Sequence, residues 1–578
     1  MATPSTALQG SASGVAAEAP APSSVGEAWM RLLKRRGVDF LFANSGTDFP
    51  SIVEGIARSE QLGVAIPRPV VCPHENAAIS MAHGHAMVSG RAQAAMVHVN
   101  VGTANALNGL INADREYVPL LLAAGRTPIL EEGENGSRSL NIHWAQEMFD
   151  QAGMVRESVR WDYELRDPRQ LTLATDRALA IAHSDPAGPV YLTLPREILA
   201  MEPAGSVEDE PLMMPARIAG PEQTDVRKAA ELFALARSPL IITSRAGVDR
   251  QVPELLSRFA ARAGAAVVEY RRRHLSLSSE DAFHGGHEAA PWIGDSDLVL
   301  VIECDVPWIP GNGSTPPGAK VIQVGTDPLQ ARYPMRGFRS DLTIRASARH
   351  FLQAMLDEMD GAQSRFEARA APARSKCAAI RDKGLAAVAQ APQRMTMAWA
   401  SACLDRARAP DSIFVNEYPL VLSAVKTTEP GSFFGSSPAG GLGWGLPAAL
   451  GAKLAAPQRE VIATVGDGSY LFANPIVCQQ IAAAEKIPIL IVIFNNAAWG
   501  AVVRATRAMY PDGHAVRANR MPLTSLEPTP DFAMIARACG CWGEIVSDPI
   551  ALPAAVDRAF TEIRSNGKCA VLDIRCES

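Results

Sequence analysis

An apolar run at 460–465 leads into Gly466-Asp467-Gly468-Ser469, and a second, at 489–495, ends in Asn495-Asn496, with 26 residues between Gly468 and Asn495. A carboxylate and an amide brought by two strand ends to one sheet edge could hold Mg²⁺. That ion takes six oxygens and commonly leaves several of those places to phosphate. Asp467 would supply charge, Asn496 a neutral oxygen and the Ala498 carbonyl a third ligand. Gly466, Gly468 and Ser469 would let the backbone approach a diphosphate closely. Asn474-Pro475 reads as a helix cap followed by proline at the first helical position. The predicted chemistry is capture of a metal-bound diphosphate at the carboxyl ends of parallel strands, where open α/β sheets take ligands.

The elements that must position these groups fall into three blocks of short, β-rich apolar runs interleaved with helical stretches. Each reads as a doubly wound α/β domain with a parallel sheet. After a tail at 1–24, rich in Ala, Ser and Pro and expected to be disordered, the first block spans 25–201, with strands expected at 39–43, 69–72, 94–99, 119–124 and 189–194. A Pro-containing linker leads to a second block at 224–357, with strands at 239–243, 265–269, 297–302 and 320–324. A helical connector follows at 361–394. The third block, 395–578, has strands at 412–416, 460–465, 489–495 and 570–574.

With 578 residues, a net charge of -6 and 20% charged residues, the chain is a multidomain protein for which nucleic acid and anionic membranes are poor partners. Nine scattered cysteines without a CxxC pair fit reduced thiols and a cytoplasmic setting.

The Asp467/Asn496 spacing resembles that of thiamine-diphosphate enzymes, and the likeness to the acetolactate synthase and benzoylformate decarboxylase family extends over nearly the whole chain. Pro73-His74-Glu75-Asn76-Ala77-Ala78 is similar to that family's His-Glu motif, and Gly102-Thr103-Ala104-Asn105-Ala106, followed by Asn108-Gly109-Leu110, to its adjoining loop. The stretch from Ala439-Gly440-Gly441-Leu442-Gly443 to Ala449 is similar to the benzoylformate decarboxylase loop. The resemblance implies a pyrimidine-binding first domain, a nucleotide-fold middle domain and a diphosphate-binding third domain. It also implies a homodimer or homotetramer with active sites between subunits.

By the same resemblance, Glu75 passes a proton to the pyrimidine ring so that the thiazolium carbon ionises, Leu442 bends the cofactor and the Gly440 carbonyl holds its exocyclic nitrogen. His98 stands where benzoylformate decarboxylase has a histidine, and Thr47 matches a catalytic serine of that enzyme. His143, Gln146 and Trp499, with Trp144, fall on the substrate side. The implied function is a lyase or carboligase acting on 2-oxo acids through a carbanion/enamine, acetolactate-synthase-like in form.

Two departures qualify this. Glu303-Cys304-Asp305-Val306-Pro307-Trp308 lacks the second catalytic histidine of benzoylformate decarboxylase, and no Arg/Asp-rich flavin motif stands nearby. A benzoylformate-type decarboxylase therefore remains an alternative. So does a 2-hydroxyacyl-CoA lyase resembling oxalyl-CoA decarboxylase, for which Arg271-Arg272-Arg273 or Arg504, Arg507, Arg517 and Arg520 could meet phosphates, unless they form a solvated basic face. A non-catalytic protein of the same fold is the remote alternative. Residues 509–528, rich in Pro and Arg, read as a mobile loop beside the substrate.

Overall fold

A computed structural model describes residues 20–204, 210–359 and 366–577, so the expected tail lies outside the described residues as far as residue 19. Three all-parallel sheets carry the chain. The first contains β1 (Phe40–Ala43), β2 (Arg68–Val71), β3 (Ala94–Val97), β4 (Leu120–Arg126), β5 (Asp162–Glu164) and β6 (Pro189–Pro195), in the order β2-β1-β3-β4-β6-β5. The second contains β7 (Pro239–Thr243), β8 (Ala266–Glu269), β9 (Leu298–Ile302), β10 (Lys320–Gly325) and β11 (Leu342–Arg345), ordered β11-β10-β9-β7-β8. The third contains β12 (Ile413–Glu417), β13 (Phe433–Gly435), β14 (Val461–Gly466), β15 (Leu490–Asn495), β16 (Trp542–Val546) and β17 (Ala570–Arg575), ordered β13-β12-β14-β15-β17-β16. Central strands such as β9, apolar throughout, and β15, apolar up to its closing Asn495, are buried along their length, as a parallel sheet covered on both faces demands.

The run expected at 94–99 is shorter in fact. Strand β3 stops at Val97 because His98 caps the helix Val99–Arg115, which takes the chain off the sheet edge. Four strands beyond those expected, β5, β11, β13 and β16, are sheet-edge members.

The first and third sheets are wound identically, and the helix after β2, Glu75–Ser89, is the topological counterpart of the helix after β13, Gly445–Ala455. These two helices cross at near backbone contact. A Cβ on Gly84 would lie 1.9 Å from the Ala448 carbonyl oxygen, and one on Gly451 would lie 1.9 Å from that of Met81. Around the crossing, Ala78, Met81 and Phe42 of the first domain share one core with Leu446, Ile413 and Ile491 of the third, whereas Phe233, Phe259 and Phe351 build a separate core in the middle domain. Gly451→Ala should therefore destabilise the protein by about 3 kcal/mol, near the top of the usual overpacking range. Gly220, with open space around its Cβ position, supplies the control, and denaturant unfolding of the two variants checks the difference.

The middle domain meets the other two through buried charge. Glu116, at the end of the Val99–Arg115 helix, lies 3.4 Å from Arg273 Nη1 and 3.3 Å from His274 Nε2, and Arg273 also pairs with Asp305 at 3.2 Å. Arg272 is equally buried, pairing with Glu269 at 3.1 Å and lying over the Phe433 ring. The reading of Arg271-Arg272-Arg273 as a phosphate-binding or solvated basic face is thus corrected for its last two members. They are interior ion-pair partners, and Arg271 alone is exposed. Among the described residues no helix is long and apolar enough to cross a membrane.

Candidate functional site

Strands β12, β14 and β15 are hydrogen-bonded neighbours, and the winding of the third sheet reverses between β12 and β14. At that reversal the chain leaves a crevice at the carboxyl edge, and the acids and amides gather there. Asp467 follows β14 and opens a short helix, Asp467–Phe472, not foreseen in the sequence. Its Oδ1 accepts the Gly468 amide at 2.9 Å, while Oδ2 is buried with no protein partner. Burial pushes this carboxyl above the usual range, the condition a cation would reverse. On the adjoining strand, Asn495 is fixed by Asp573 (Nδ2 to Oδ1, 3.0 Å), and Asn496 Oδ1 accepts the Ala498 amide at 3.3 Å. The Ala498 carbonyl already accepts from Gly500 at 2.8 Å and keeps one lone pair free. An orphaned carboxylate oxygen beside two amide or carbonyl oxygens is a donor set that suits Mg²⁺.

The neighbouring glycines divide their work. A Cβ on Gly466 would enter open space, leaving room for a ligand, but one on Gly468 would strike the Trp499 ring at 2.2 Å. Gly468 thus admits the indole of Trp499, which also meets Phe472 edge-on. Ser469 turns to Glu417, the last residue of β12. Glu417 is buried and takes the amides of Gly443 and Gly445 at 2.8 and 2.5 Å; burial still drives its carboxyl upward. In this way β12 ties down the Gly440–Gly443 turn, whose Gly440 and Gly443 adopt left-handed φ values of +69° and +81°.

The other side of that turn is held by the first domain. Along one face of the Val99–Arg115 helix, Asn105 donates to Glu75 Oε2 at 2.5 Å, Asn108 to the Leu442 carbonyl at 3.1 Å and Asn112 to the Gly441 carbonyl at 2.9 Å. Glu75 is the first residue of its helix, where the dipole favours a carboxylate, and His74 caps the Asn76 amide.

At the first sheet's edge, His98 Nδ1 lies 2.6 Å from Asp48 Oδ1, and Gln146 Nε2 lies 3.4 Å from His98 Nε2. The Asp48 hydrogen bond holds the imidazole above its ordinary range, against the opposing pull of partial burial. Thr47 is exposed on the same turn. His143 is buried, accepts the Ser139 amide at 3.1 Å on Nδ1 and is driven towards the neutral form by that burial. Trp144 is half exposed, with Arg138 over its ring.

The structure brings Glu75 and the Leu442 turn to one helix face, and Asp467 and Asn496 to adjoining strand ends. His98 and Gln146 form a group of their own with Asp48. Asp48, Asn112 and Glu417 were not singled out in the sequence, and Asn105 and Asn108 stood there only as members of the loop motif at 102–110. Asp48 and Glu417 carried the signal of an acid at or just past the end of an apolar strand. Asn474 does not cap through its side chain; it takes a left-handed φ of +50°, and only Pro475 keeps its expected place. Residues 509–528, expected as a loop, carry some secondary structure. They close the helix Gly500–Met509, form a short helix at His514–Arg517 and return to the turn that follows β15, where Thr524 and Leu526 bond to Trp499 and Ala497.

Three family models match the chain. The N-terminal TPP-binding domain of thiamine pyrophosphate enzymes covers residues 23–154, their central domain 226–355 and their C-terminal TPP-binding domain 418–574. The chain is 28% identical to a benzoylformate decarboxylase of Pseudomonas aeruginosa over 83% of this chain and 87% of that protein. It is 25% identical to an acetolactate synthase large subunit of Haemophilus influenzae over 92% of this chain and 91% of that one. In fold it is like the solved thiamine diphosphate-dependent 4-hydroxybenzoylformate decarboxylase of Rhodococcus jostii, with a TM-score of 0.77 and 22% identity, covering 96% of this chain and 99% of the other.

Proposed function

The chain belongs to the thiamine pyrophosphate enzyme family of acetolactate synthases and benzoylformate decarboxylases, and on that footing we propose that it cleaves or forms the C–C bond beside the carbonyl of a 2-oxo acid, with Mg²⁺ anchoring the cofactor's diphosphate. The observation that carries this reading is the buried, unpartnered Asp467 oxygen at the strand reversal, next to Asn496 and the Ala498 carbonyl. Thiamine diphosphate, when bound, supplies a carbon nucleophile and an electron sink. Asp467, Asn496 and the Ala498 carbonyl hold the cation, and the open space at Gly466 admits the diphosphate. Leu442 would pack against the cofactor, and the Gly440 carbonyl would serve it as a hydrogen-bond acceptor. Glu75 exchanges a proton at its carboxylate, kept in register by Asn105. His98 handles protons at Nε2 on the substrate side, among Thr47, His143, Gln146 and Trp499.

The active form is proposed to be a homodimer or homotetramer in which two chains complete each site. Exposed Val71 and Val101 in the first domain and Phe472 and Ile476 in the third, at 50–71% of full exposure, support such an interface. The acyl-CoA lyase reading has one support of its own. A crevice of about 470 Å³ between the first and middle domains is lined by Arg245, Thr326, Ser347 and Arg349, the two arginines pairing there with Glu303 at 2.7 Å and Asp249 at 3.2 Å. Turnover and thermal-shift screening of the Mg²⁺–thiamine diphosphate form decides between the two. Pyruvate, benzoylformate or another 2-oxo acid should be consumed with CO₂ release, whereas stabilisation and turnover with 2-hydroxyacyl-CoA esters alone would reverse the order.

A further inference from the structure

Strand β8 of the middle domain ends in Glu269, and the chain at 283–286 returns to run beside it. Val267 donates to the Phe283 carbonyl at 2.9 Å and accepts the Gly285 amide at 2.7 Å, and the Glu269 amide donates to the Gly286 carbonyl at 3.1 Å. This pairing carries His284 and His287 to the Glu269 carboxylate. Each of the three side chains offers one atom that can ligate a metal, and these atoms lie within 4.8 Å of one another.

His284 Nε2 and Glu269 Oε2 are 3.1 Å apart. Two ligands about 2.1 Å from one tetrahedral ion stand about 3.4 Å from each other, so this pair already has the spacing of a shared ion. His287 has to close the remaining distance, and its turn can adjust because Gly285 and Gly286 precede it, the latter at a φ of +87°. Its Nδ1 is enclosed without a hydrogen-bond partner. Burial keeps this imidazole well below its ordinary range, in the neutral form that binds metal. Glu269 is fixed through Oε1, which accepts the Ser276 and Leu277 amides at 2.6 and 3.3 Å and leaves Oε2 to face the histidines.

The group that opposes a cation here is Arg272, whose Nη1 reaches Glu269 Oε2 at 3.1 Å. Arg272 is also held by Thr427 Oγ1 at 2.8 Å and by the Phe433 ring, while its buried Nε and Nη2 have no partner. Arg272, His284 and His287 line one cavity of about 830 Å³ between the middle and third domains. An ion with three protein ligands keeps its fourth position for that cavity. An anion bound there gives the idle guanidinium donors an acceptor and offsets the added charge.

We propose that Glu269, His284 and His287 bind one transition-metal ion of the Zn²⁺ class, with a water or small anion at its open position. Two imidazole ligands disfavour Mg²⁺, which takes oxygen, so this site differs in place and in chemistry from the one at Asp467. It does not depend on the 2-oxo acid reading.

The test uses untagged full-length protein, stripped with a chelator and reloaded with Mg²⁺ and thiamine diphosphate. Zn²⁺ is titrated in, and the metal retained after desalting is counted by mass spectrometry. Wild type should retain one Zn²⁺ per chain, and Co²⁺ in its place should give the visible absorption of a nitrogen-ligated, four- or five-coordinate ion. His287→Ala should bind Zn²⁺ at least about 100-fold more weakly and lose that absorption. Asp467→Ala should keep both. No retention by wild type, or equal retention by His287→Ala, overturns the proposal and leaves the three residues as a hydrogen-bonded group around Arg272. Loss of the ion in Asp467→Ala overturns it too, by placing Zn²⁺ at the diphosphate site. Should His287→Ala not fold, His284→Gln decides, since it keeps a hydrogen bond to Glu269; undiminished Zn²⁺ affinity in that variant is equally fatal.

Discussion

Replacing Glu75 with glutamine lowers turnover by roughly 10³-fold or more while leaving cofactor affinity within a few-fold. The substitution keeps the side chain's length and an oxygen for Asn105, which now donates to Glu75 Oε2 at 2.5 Å. It also keeps the start of the Glu75–Ser89 helix, whose cap is the His74 side chain and not residue 75. What it removes is a group that can accept and return a proton. The loss should therefore appear in turnover and in exchange of the cofactor's C2 proton for deuterium, followed by NMR, and hardly at all in thermal unfolding. Wild-type exchange in the glutamine variant would remove Glu75 from the reaction. Loss of both folding and binding would make it a structural acid instead.

Asp467→Ala separates affinity from stability in opposite directions. Without cofactor, the wild-type protein buries a carboxyl whose Oδ2 has no partner and which burial pushes upward. A carboxyl raised in the folded state costs stability above its folded value, and that cost disappears as pH falls below its unfolded value. The alanine variant lacks the cost, so the cofactor-free form should be no less stable than wild type near neutral pH, and less dependent on pH in the mildly acidic range. Mg²⁺-dependent binding of thiamine diphosphate should weaken by at least about 100-fold, and with it the rise in unfolding temperature that a ligand specific for the folded state confers. Calorimetric titration with and without Mg²⁺ checks the first result, and paired thermal scans the second. Undiminished Mg²⁺-dependent affinity would move the cation elsewhere.

Sequence reading succeeds here where a residue's neighbours in space are also near in pattern. Strands β7, β9, β14 and β15 are near-continuous apolar runs, interrupted only by Thr464 in β14 and closed by Thr243 in β7 and Asn495 in β15, because both faces of a parallel sheet are covered. The residues after β14 and β15 could be placed together from chain order alone. Strand β11 alternates buried and exposed residues, and β5 is only half-buried Asp162-Tyr163-Glu164; at a sheet edge, pairing on one side suffices, and no apolar run announces them. The same distinction separates the site residues. Asp467 and Asn496 are legible because strand ends dictate their position. Asn108 and Asn112 hold the Leu442 turn across more than three hundred residues of chain, and Arg273 finds Glu116 and Asp305, carboxylates that no local spacing discloses. Glu417 lies between these cases, an acid closing an apolar strand whose partners are the amides of Gly443 and Gly445.

The crossing of Glu75–Ser89 with Gly445–Ala455 also bears on how the polypeptide is made. Synthesis runs from the amino end, so the first sheet and its helices leave the ribosome long before the helix that packs against Gly84 exists. Meanwhile Ala78, Met81 and their neighbours have no lasting cover, while the middle domain, with its own core, can close independently. Nascent chains ending before residue 445 should accordingly bind chaperones through the first domain, and a translational pause beyond the middle domain would prolong that exposure.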